Sequence, residues 1–263
     1  GPQVDPGLTT VAVPFNDLSA MERALSAGDI ACVLMEPALT NIGIVLPNDG
    51  YVQGVRDLTR KYGVLLIIDE THTICVGPGG CTREWGIDPD FVVIGKTIGG
   101  GIPVAAYGMS SAIAQSLEEI MVGHDLDVSG VGGTLTGSAL AMTAMKATLS
   151  TSLQPKDFAQ TIELARAWAD GAQLVCGEFG LDWHVQQLGC RAEYWFGPPP
   201  SNGAEAAASV HPELEAYLHL AALNRGILLT PFHNMALFSV FHTMEHVHAH
   251  TKIFRECISA IVS

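Results

Sequence analysis

Charge is scarce in this chain of 263 residues: 15% of positions are Asp, Glu, Lys or Arg, against about a quarter in an ordinary soluble domain. Basic charge is scarcer still, with 13 Lys and Arg facing 27 Asp and Glu for a formal net charge of −14. The basic residues are scattered, which argues against the clustered cationic surface that a nucleic-acid backbone requires. No apolar run approaches the roughly 20 residues that cross a bilayer; the longest candidates, such as Val64 to Ile68, are strand-sized. CxxC pairs are absent. The six cysteines, Cys32, Cys75, Cys81, Cys176, Cys190 and Cys257, lie far apart in a chain large and apolar enough to fold without staples, which predicts reduced thiols and a cytoplasmic setting. There is no internal repeat, and Gly1 to Pro6 carry no initiator Met, basic flank or apolar signal core, so the chain reads as though cut from something longer. What it has in plenty is apolar side chains, 48% of residues, with mean hydropathy +0.29. That predicts one large or two modest domains with a sizeable core, and some apolar surface covered by another subunit.

Ala31 to Met35, Val64 to Ile68 and Phe91 to Ile94 are short and apolar on both parities, the pattern of strands covered on both faces in a parallel sheet. Helical patterns separate them. Asp17 to Ala27 puts Leu18, Met21 and Leu25 on one stripe and stops at Gly28; Tyr51 to Tyr62 follows Asn48 and Asp49 as possible caps, carries Val52, Val55 and Leu58, and ends at Gly63. Strand, helix, strand is a βαβ pattern. Further helices are expected over Ser138 to Leu149, with Met142 and Met145 in the core, and over Asp157 to Cys176, with Phe158, Ile162, Ala165, Trp168 and Leu174 as its apolar set. Beyond them the expectation is strands in Asp182 to Phe196, a loop over Gly197 to Gly203, a helix over Pro212 to Asn224, strands over Ile227 to Thr230 and Ala236 to Phe241, and a terminal helix over Met244 to Val262. The reading is a partial large α/β domain over 1–150 and a small α+β domain over 151–263.

In open parallel sheets, ligands sit beyond the carboxyl ends of the strands. Three polar residues stand there: Glu36 after the first strand, Asp69 ending the second, and Lys96 after the third. Lys96 leads into Thr97-Ile98-Gly99-Gly100-Gly101, a loop whose missing side chains let backbone approach a ligand. An apolar strand behind it and glycines ahead predict a desolvated amine, fit for imine formation. Gly95-Lys96-Thr97 also imitates the end of a P-loop, but the required earlier glycine falls on Asp90. A lysine that forms an imine, paired with an Asp on a parallel strand, is what pyridoxal phosphate requires: the carboxylate keeps the pyridine nitrogen protonated. His242, His246 and His250 repeat every four residues, but without an acidic or Cys ligand in register no metal is expected. Cys75 and Cys81, in a Gly-rich loop, are expected as partly exposed free thiols.

Glu36-Pro37, Asn41-Ile42-Gly43, Pro47 to Gly50, Ile68-Asp69-Glu70-Thr71-His72-Thr73, Trp85 to Asp90, Gly95 to Pro103 and Gly133-Thr134-Leu135-Thr136-Gly137 occur in this order. In that order they resemble the class III aminotransferases, most closely the glutamate-1-semialdehyde aminomutase branch. Asn224-Arg225-Gly226 and His242-Thr243 extend the resemblance over nearly the whole chain. It implies the aspartate-aminotransferase-like fold (pyridoxal-phosphate fold type I), with a mainly parallel sheet. Lys96 would be the Schiff-base lysine and proton shuttle, and Asp69 the partner of the pyridinium. Thr71 would pack against the ring, His72 lie near its hydroxyl, and Thr134 reach the cofactor phosphate of a neighbouring subunit, hence a homodimer. Glu36 would stand on the substrate side. Members of the family carry, ahead of the region matching Gly1, a phosphate-binding turn, a ring-stacking aromatic and much of the substrate pocket, so the chain reads as a C-terminal portion. The aminomutase branch also tends to have an acid about where Met235 stands, so the resemblance does not carry that branch's substrate over to this chain. The implied activity is amino-group transfer on an amino acid or amine. Movement of the amino group within one molecule, or a non-catalytic homologue that binds a partner, are the alternatives.

Overall fold

The computed structural model describes residues 4–122, 132–230 and 232–262; Gly1 to Gln3, read above as the start of a cut chain, lie outside them. The elements in chain order are α1 (Leu18–Leu25), β1 (Cys32–Met35), α2 (Tyr51–Tyr62), β2 (Leu65–Asp69), α3 (Gly80–Glu84), β3 (Phe91–Ile94), β4 (Ala106–Met109), α4 (Ser111–Val122) and α5 (Ala139–Thr151). They continue with α6 (Pro155–Glu178), β5 (His184–Leu188), β6 (Arg191–Trp195), α7 (Gly203–Ala208), α8 (Pro212–Leu223), β7 (Met235–Leu237) and α9 (Met244–Val262). β1, β2 and β3 pair in parallel, and β4 closes the edge antiparallel to β3. β5, β6 and β7 form a second, antiparallel sheet.

The first sheet is covered on one side by α1 and α2. Asp17 caps α1 by accepting from the Ala20 N–H at 2.7 Å, and Met21 and Leu25 meet Tyr51, Val55, Leu66 and Ile68 in one core. α2 occupies the expected residues but buries Tyr51, Val55 and Thr59, leaving Val52 and Leu58 half-buried. Gly50 rather than Asn48 or Asp49 is its N-cap, with no side-chain hydrogen bond. Arg56 reaches from α2 to Asp90 at 2.8 Å, while the same carboxylate accepts from the Leu66 N–H. The other face of β1 is open: Leu34 is 65% exposed, so this strand is covered on one side rather than two. α5 buries no residue along its length: Met142 is exposed and Met145 only half-buried, so neither is core.

The second core lies between α6, α9 and the antiparallel sheet, around Trp168, Tyr194, Leu218, Phe254 and Ile258. Leu174 faces solvent instead; the buried stripe of α6 runs through Leu164, Ala165, Trp168, Ala172, Val175 and Cys176. Residues 227–230 form no strand, and the strand expected over Ala236 to Phe241 is the short β7. β4, α4 and α7 were not anticipated. A third, small cluster joins the two regions: Ala38 and Ile44 meet Cys75, Cys81, Leu188 and Cys190. There the turn of the β5–β6 hairpin lies so close to the loop after β2 that a Cβ on Gly189 would stand 2.2 Å from the Cys75 carbonyl oxygen. Cys75 and Cys81 are therefore buried, not partly exposed; Cys75 donates to the Leu188 carbonyl oxygen. The cysteines among the described residues are all free. No described helix is long and apolar enough to cross a membrane.

Candidate functional site

Parallel pairing of β1, β2 and β3 brings their carboxyl ends to one edge. Met35 pairs with Ile68 and Asp69 with Val93, so Glu36 lies beside Asp69, and Lys96 emerges three residues past Asp69's neighbour. The Thr71 N–H donates to Asp69 Oδ1 at 2.8 Å and orients the carboxylate. Glu70, facing the opposite way, is fully buried and binds the turn that follows: it accepts from the backbone N–H groups of Cys81 and Thr82 and from the hydroxyls of Thr73 and Thr82. Lys96 opens a short 3₁₀ turn (Lys96–Gly99) with φ of 50°. Its side chain is exposed rather than desolvated, because the glycines ahead of it supply no side chains to cover the amine.

A continuous polar chain links the site. Lys96 Nζ contacts His72 Nε2; His72 Nδ1 lies 2.7 Å from Thr40 Oγ1; and Thr40 Oγ1 donates to Glu36 Oε2. Thr40 is fully buried, and its carbonyl oxygen accepts from Arg191 Nη2 at 2.5 Å. Arg191 is itself buried and pairs with Glu193 at 2.9 Å, whose second oxygen meets His233. Burial pushes the Glu36 carboxyl up from its ordinary range, aided by Asp69 and opposed by the Thr40 hydrogen bond and by Arg191 and Lys96. Burial, with the positive charges of Lys96 and Arg191, brings His72 down to about 4, so its ring is neutral at physiological pH.

A cavity of about 560 Å³ opens beside this edge, walled by Thr71, His72 and Lys96 on one side and by Arg191, His233 and Phe238 on the other. Asp69 and Glu36 stand outside its wall. Thr134 stands on an exposed turn and is not among the residues that wall the cavity. The histidines of the tail do not converge: His242 and His246 accept from the backbone N–H groups of Ser239 and Thr243, and His250 is buried against Trp168. Among the described residues no three His, Cys, Asp or Glu are placed to hold a metal. Sequence reasoning missed Thr40, Arg191, Glu193 and His233. One signal was available: Arg191 is the sole Lys or Arg between Arg166 and Arg225, and Glu193 shares its face of an otherwise apolar strand.

An amine, a carboxylate and an imidazole at one sheet edge, beside an open cavity, fit the ring end of the pyridoxal phosphate implied by the resemblance. The sequence model of the family described as Aminotransferase class-III matches residues 9–171, more than half of the chain. Relatives include the glutamate-1-semialdehyde 2,1-aminomutases of Natranaerobius thermophilus, 34% identical over 95% of this chain and 58% of its own, and of Bacillus subtilis, 34% identical over 94% and 58%. The chain thus spans less than two thirds of the length of these relatives. Among solved structures, a glutamate-1-semialdehyde aminomutase from Pseudomonas aeruginosa PAO1 superposes with a TM-score of 0.92 at 43% identity, over 98% of this chain and 59% of that one. A second structure from the same organism, in complex with PMP, matches equally well. An omega-transaminase from Sphaerobacter thermophilus gives 0.82 at 27% identity, over 95% and 57%. These likenesses bear out the aspartate-aminotransferase-like α/β fold.

Proposed function

Because this chain belongs to the class-III aminotransferase family, we propose that it carries out pyridoxal-phosphate-dependent amino-group transfer on an amino acid or amine, through Lys96 and Asp69. The observation that carries the reading is the placement of these two residues at adjacent ends of parallel strands, an amine and a carboxylate sharing one edge. When bound, the cofactor supplies an electron sink for a carbanion at the substrate. Lys96 would hold its aldehyde and, once released, take and return the substrate proton at Nζ. Asp69, oriented by the Thr71 N–H, would keep a positive charge on the ring nitrogen by a charge-assisted hydrogen bond. Thr71 would bound the ring, and His72 would stand near its hydroxyl edge. Glu36 is assigned to the substrate side. Thr134 is assigned to the cofactor phosphate of a second subunit, the unit being a homodimer in the cytoplasm. The domain division is placed between α5 and α6, near residue 150.

A second reading, movement of the amino group within one molecule, draws support from relatives named aminomutases at 34% identity. The two differ in whether the keto product leaves before it is re-aminated, so a ¹⁵N-labelled amine whose label appears on an added keto acid favours transfer between molecules. The central assignment is tested by borohydride reduction of the cofactor-loaded protein and peptide mapping. The adduct is expected on Lys96 and absent from Lys96→Ala; mapping to Lys61, Lys146, Lys156 or Lys252 rejects it. Asp69→Asn is expected to keep the adduct and to slow substrate proton abstraction by at least about 10²-fold; near-normal transfer by that variant rejects its role.

A further inference from the structure

One hydroxyl in this site serves two titratable groups. Thr40 Oγ1 donates to Glu36 Oε2 and sits 2.7 Å from His72 Nδ1, while His72 Nε2 faces Lys96 Nζ. A hydroxyl has a single proton to give. With Glu36 ionised, that proton points to the carboxylate, so His72 must donate from Nδ1 and present a lone pair at Nε2 to the Lys96 ammonium. With Glu36 protonated, every bond in the chain reverses: Glu36 donates to Thr40, Thr40 donates to His72 Nδ1, and His72 Nε2–H points at a neutral Lys96 amine. The two arrangements differ by one proton, carried at Glu36 in one and at Lys96 in the other, and the imidazole is neutral in both.

The geometry points to a proton relay from Lys96 through His72 and Thr40 to Glu36, in which Glu36 stores the proton that Lys96 takes from substrate and Thr40 is the positioning residue that couples them. This rests on the reading of Lys96 as the lysine that moves the substrate proton. In the outward direction a Lys96 Nζ–H bond breaks as His72 Nε2–H forms, His72 Nδ1–H breaks as Thr40 Oγ1–H forms, and the former Thr40 O–H breaks as Glu36 Oε2–H forms. Lys96 ends neutral and Glu36 ends as the acid; no electrons are exchanged with another molecule. The surroundings suit a concerted passage. Burial together with Lys96 and Arg191 disfavours a free imidazolium at His72, opposed only by Asp69, with His233 adding to the positive side. Burial and the nearby Asp69 favour the protonated form of Glu36, while Arg191 and Lys96 keep the ionised form accessible. The Thr40 backbone is held by Arg191, which Glu193 anchors in turn, so its hydroxyl has little freedom to leave the line.

Thr40→Val removes the hydroxyl at nearly constant volume, Thr40→Ser retains it, and Glu36→Gln keeps an acceptor for Thr40 but cannot store a proton. In ¹⁵N-histidine-labelled protein, His72 is expected to show the neutral Nδ1–H tautomer near pH 8 in the unaltered chain, in Thr40→Ser and in Glu36→Gln, and to lose that preference in Thr40→Val. In the holoenzyme, Thr40→Val and Glu36→Gln are expected to lower kcat by about tenfold or more with the Lys96 adduct unchanged, and Thr40→Ser to recover to within about twofold. A purely structural role for Glu36 would leave the rate of Glu36→Gln alone once the tautomer is preserved. Normal kcat in either Thr40→Val or Glu36→Gln, or a His72 tautomer indifferent to Thr40→Val, overturns the relay while the adduct still supports the parent reading. Absence of a Lys96 adduct in the unaltered holoenzyme overturns both. If Thr40→Val does not fold, Glu36→Gln decides the matter alone.

Discussion

Lys96 holds its backbone in the left-handed region, φ 50°, a conformation shared among the described non-glycine residues only with Asn16 and Phe232. For an L-residue this costs on the order of 1 kcal/mol, and a lysine lacks the short polar side chain with which asparagine offsets it. The strain sits on the residue from which the chemistry is proposed to proceed, where the surrounding structure must over-determine it. Lys96→Gly is therefore expected to raise stability by about 1 kcal/mol in denaturant unfolding, whereas Lys96→Ala, which keeps a Cβ, is expected to bring no such gain. Equal stabilities of the two variants would remove strain from the account. The position of Lys96 after an apolar strand and before glycines was legible in the sequence; its left-handed backbone was not, because a lysine is a poor indicator of that conformation.

Elements rather than single residues decide how the second core responds to acid. His250 of α9 is buried, lies 4.8 Å from the Trp168 ring of α6 and 5.8 Å from Phe254, and has no partner for Nδ1 among the described residues. Burial lowers it to about 4 from an ordinary 6.5. Above pH 6.5 the ring is neutral in folded and unfolded chains alike and contributes nothing. Between 6.5 and about 4 only the unfolded chain gains the proton, so stability falls with falling pH, by up to about 3 kcal/mol. His250→Phe is expected to flatten that acid limb in unfolding free energies measured from pH 7 to pH 4; an unchanged slope would place the acid sensitivity elsewhere. The helix period marked α9 correctly, but only packing against α6 separates the core histidine His250 from His242 and His246, which accept from backbone N–H groups. A comparable element-scale constraint is the turn between β5 and β6. Gly189 has φ of 58°, and a Cβ there would meet the Cys75 and Val76 backbone at 2.2 to 2.6 Å. Gly189→Ala is expected to cost at least about 2 kcal/mol and to loosen the hairpin that delivers Arg191 to Thr40, seen as faster amide exchange at Cys190 and Arg191; a neutral effect would mean the two loops separate at little cost.

At the scale of the whole molecule, the exposed apolar side chains carry the argument. Leu34 is 65% exposed, Leu135 85% and Leu140 67%, and α5 covers no core of its own. Contiguous exposed apolar surface marks interaction sites, and Thr134 adjoins Leu135 in the chain. A homodimer in which Thr134 serves the partner's cofactor is the proposed assembly. Mixing Lys96→Ala subunits with Thr134→Val subunits is expected to restore one complete site per hybrid dimer, giving activity above that of either variant alone. No gain despite proven subunit exchange, or a monomer at working concentration, rejects the shared site. The low charge content already suggested covered apolar surface. That β1 and α5 leave apolar side chains exposed was seen only in the structure, because apolar strand and helix patterns read alike whatever covers them.

Local chemistry was enough to place α1, α2, β1 to β3, α6 and α9, because hydrophobic period, caps and glycine stops are short-range signals. It was also enough to put Glu36, Asp69 and Lys96 at strand ends, since parallel strands linked by helices must end on the same edge. It did not reveal β4 and α4, whose residues carry weaker patterns, nor the absence of a strand at 227–230. Above all it did not reveal the joining of Thr40 to His72 and of Arg191 to Thr40, contacts that span 32 and 151 residues. Such pairings have no local signature: the first joins the loops that follow β1 and β2, the second exists only where a hairpin from the second sheet has docked on them, and the tertiary structure alone decided both.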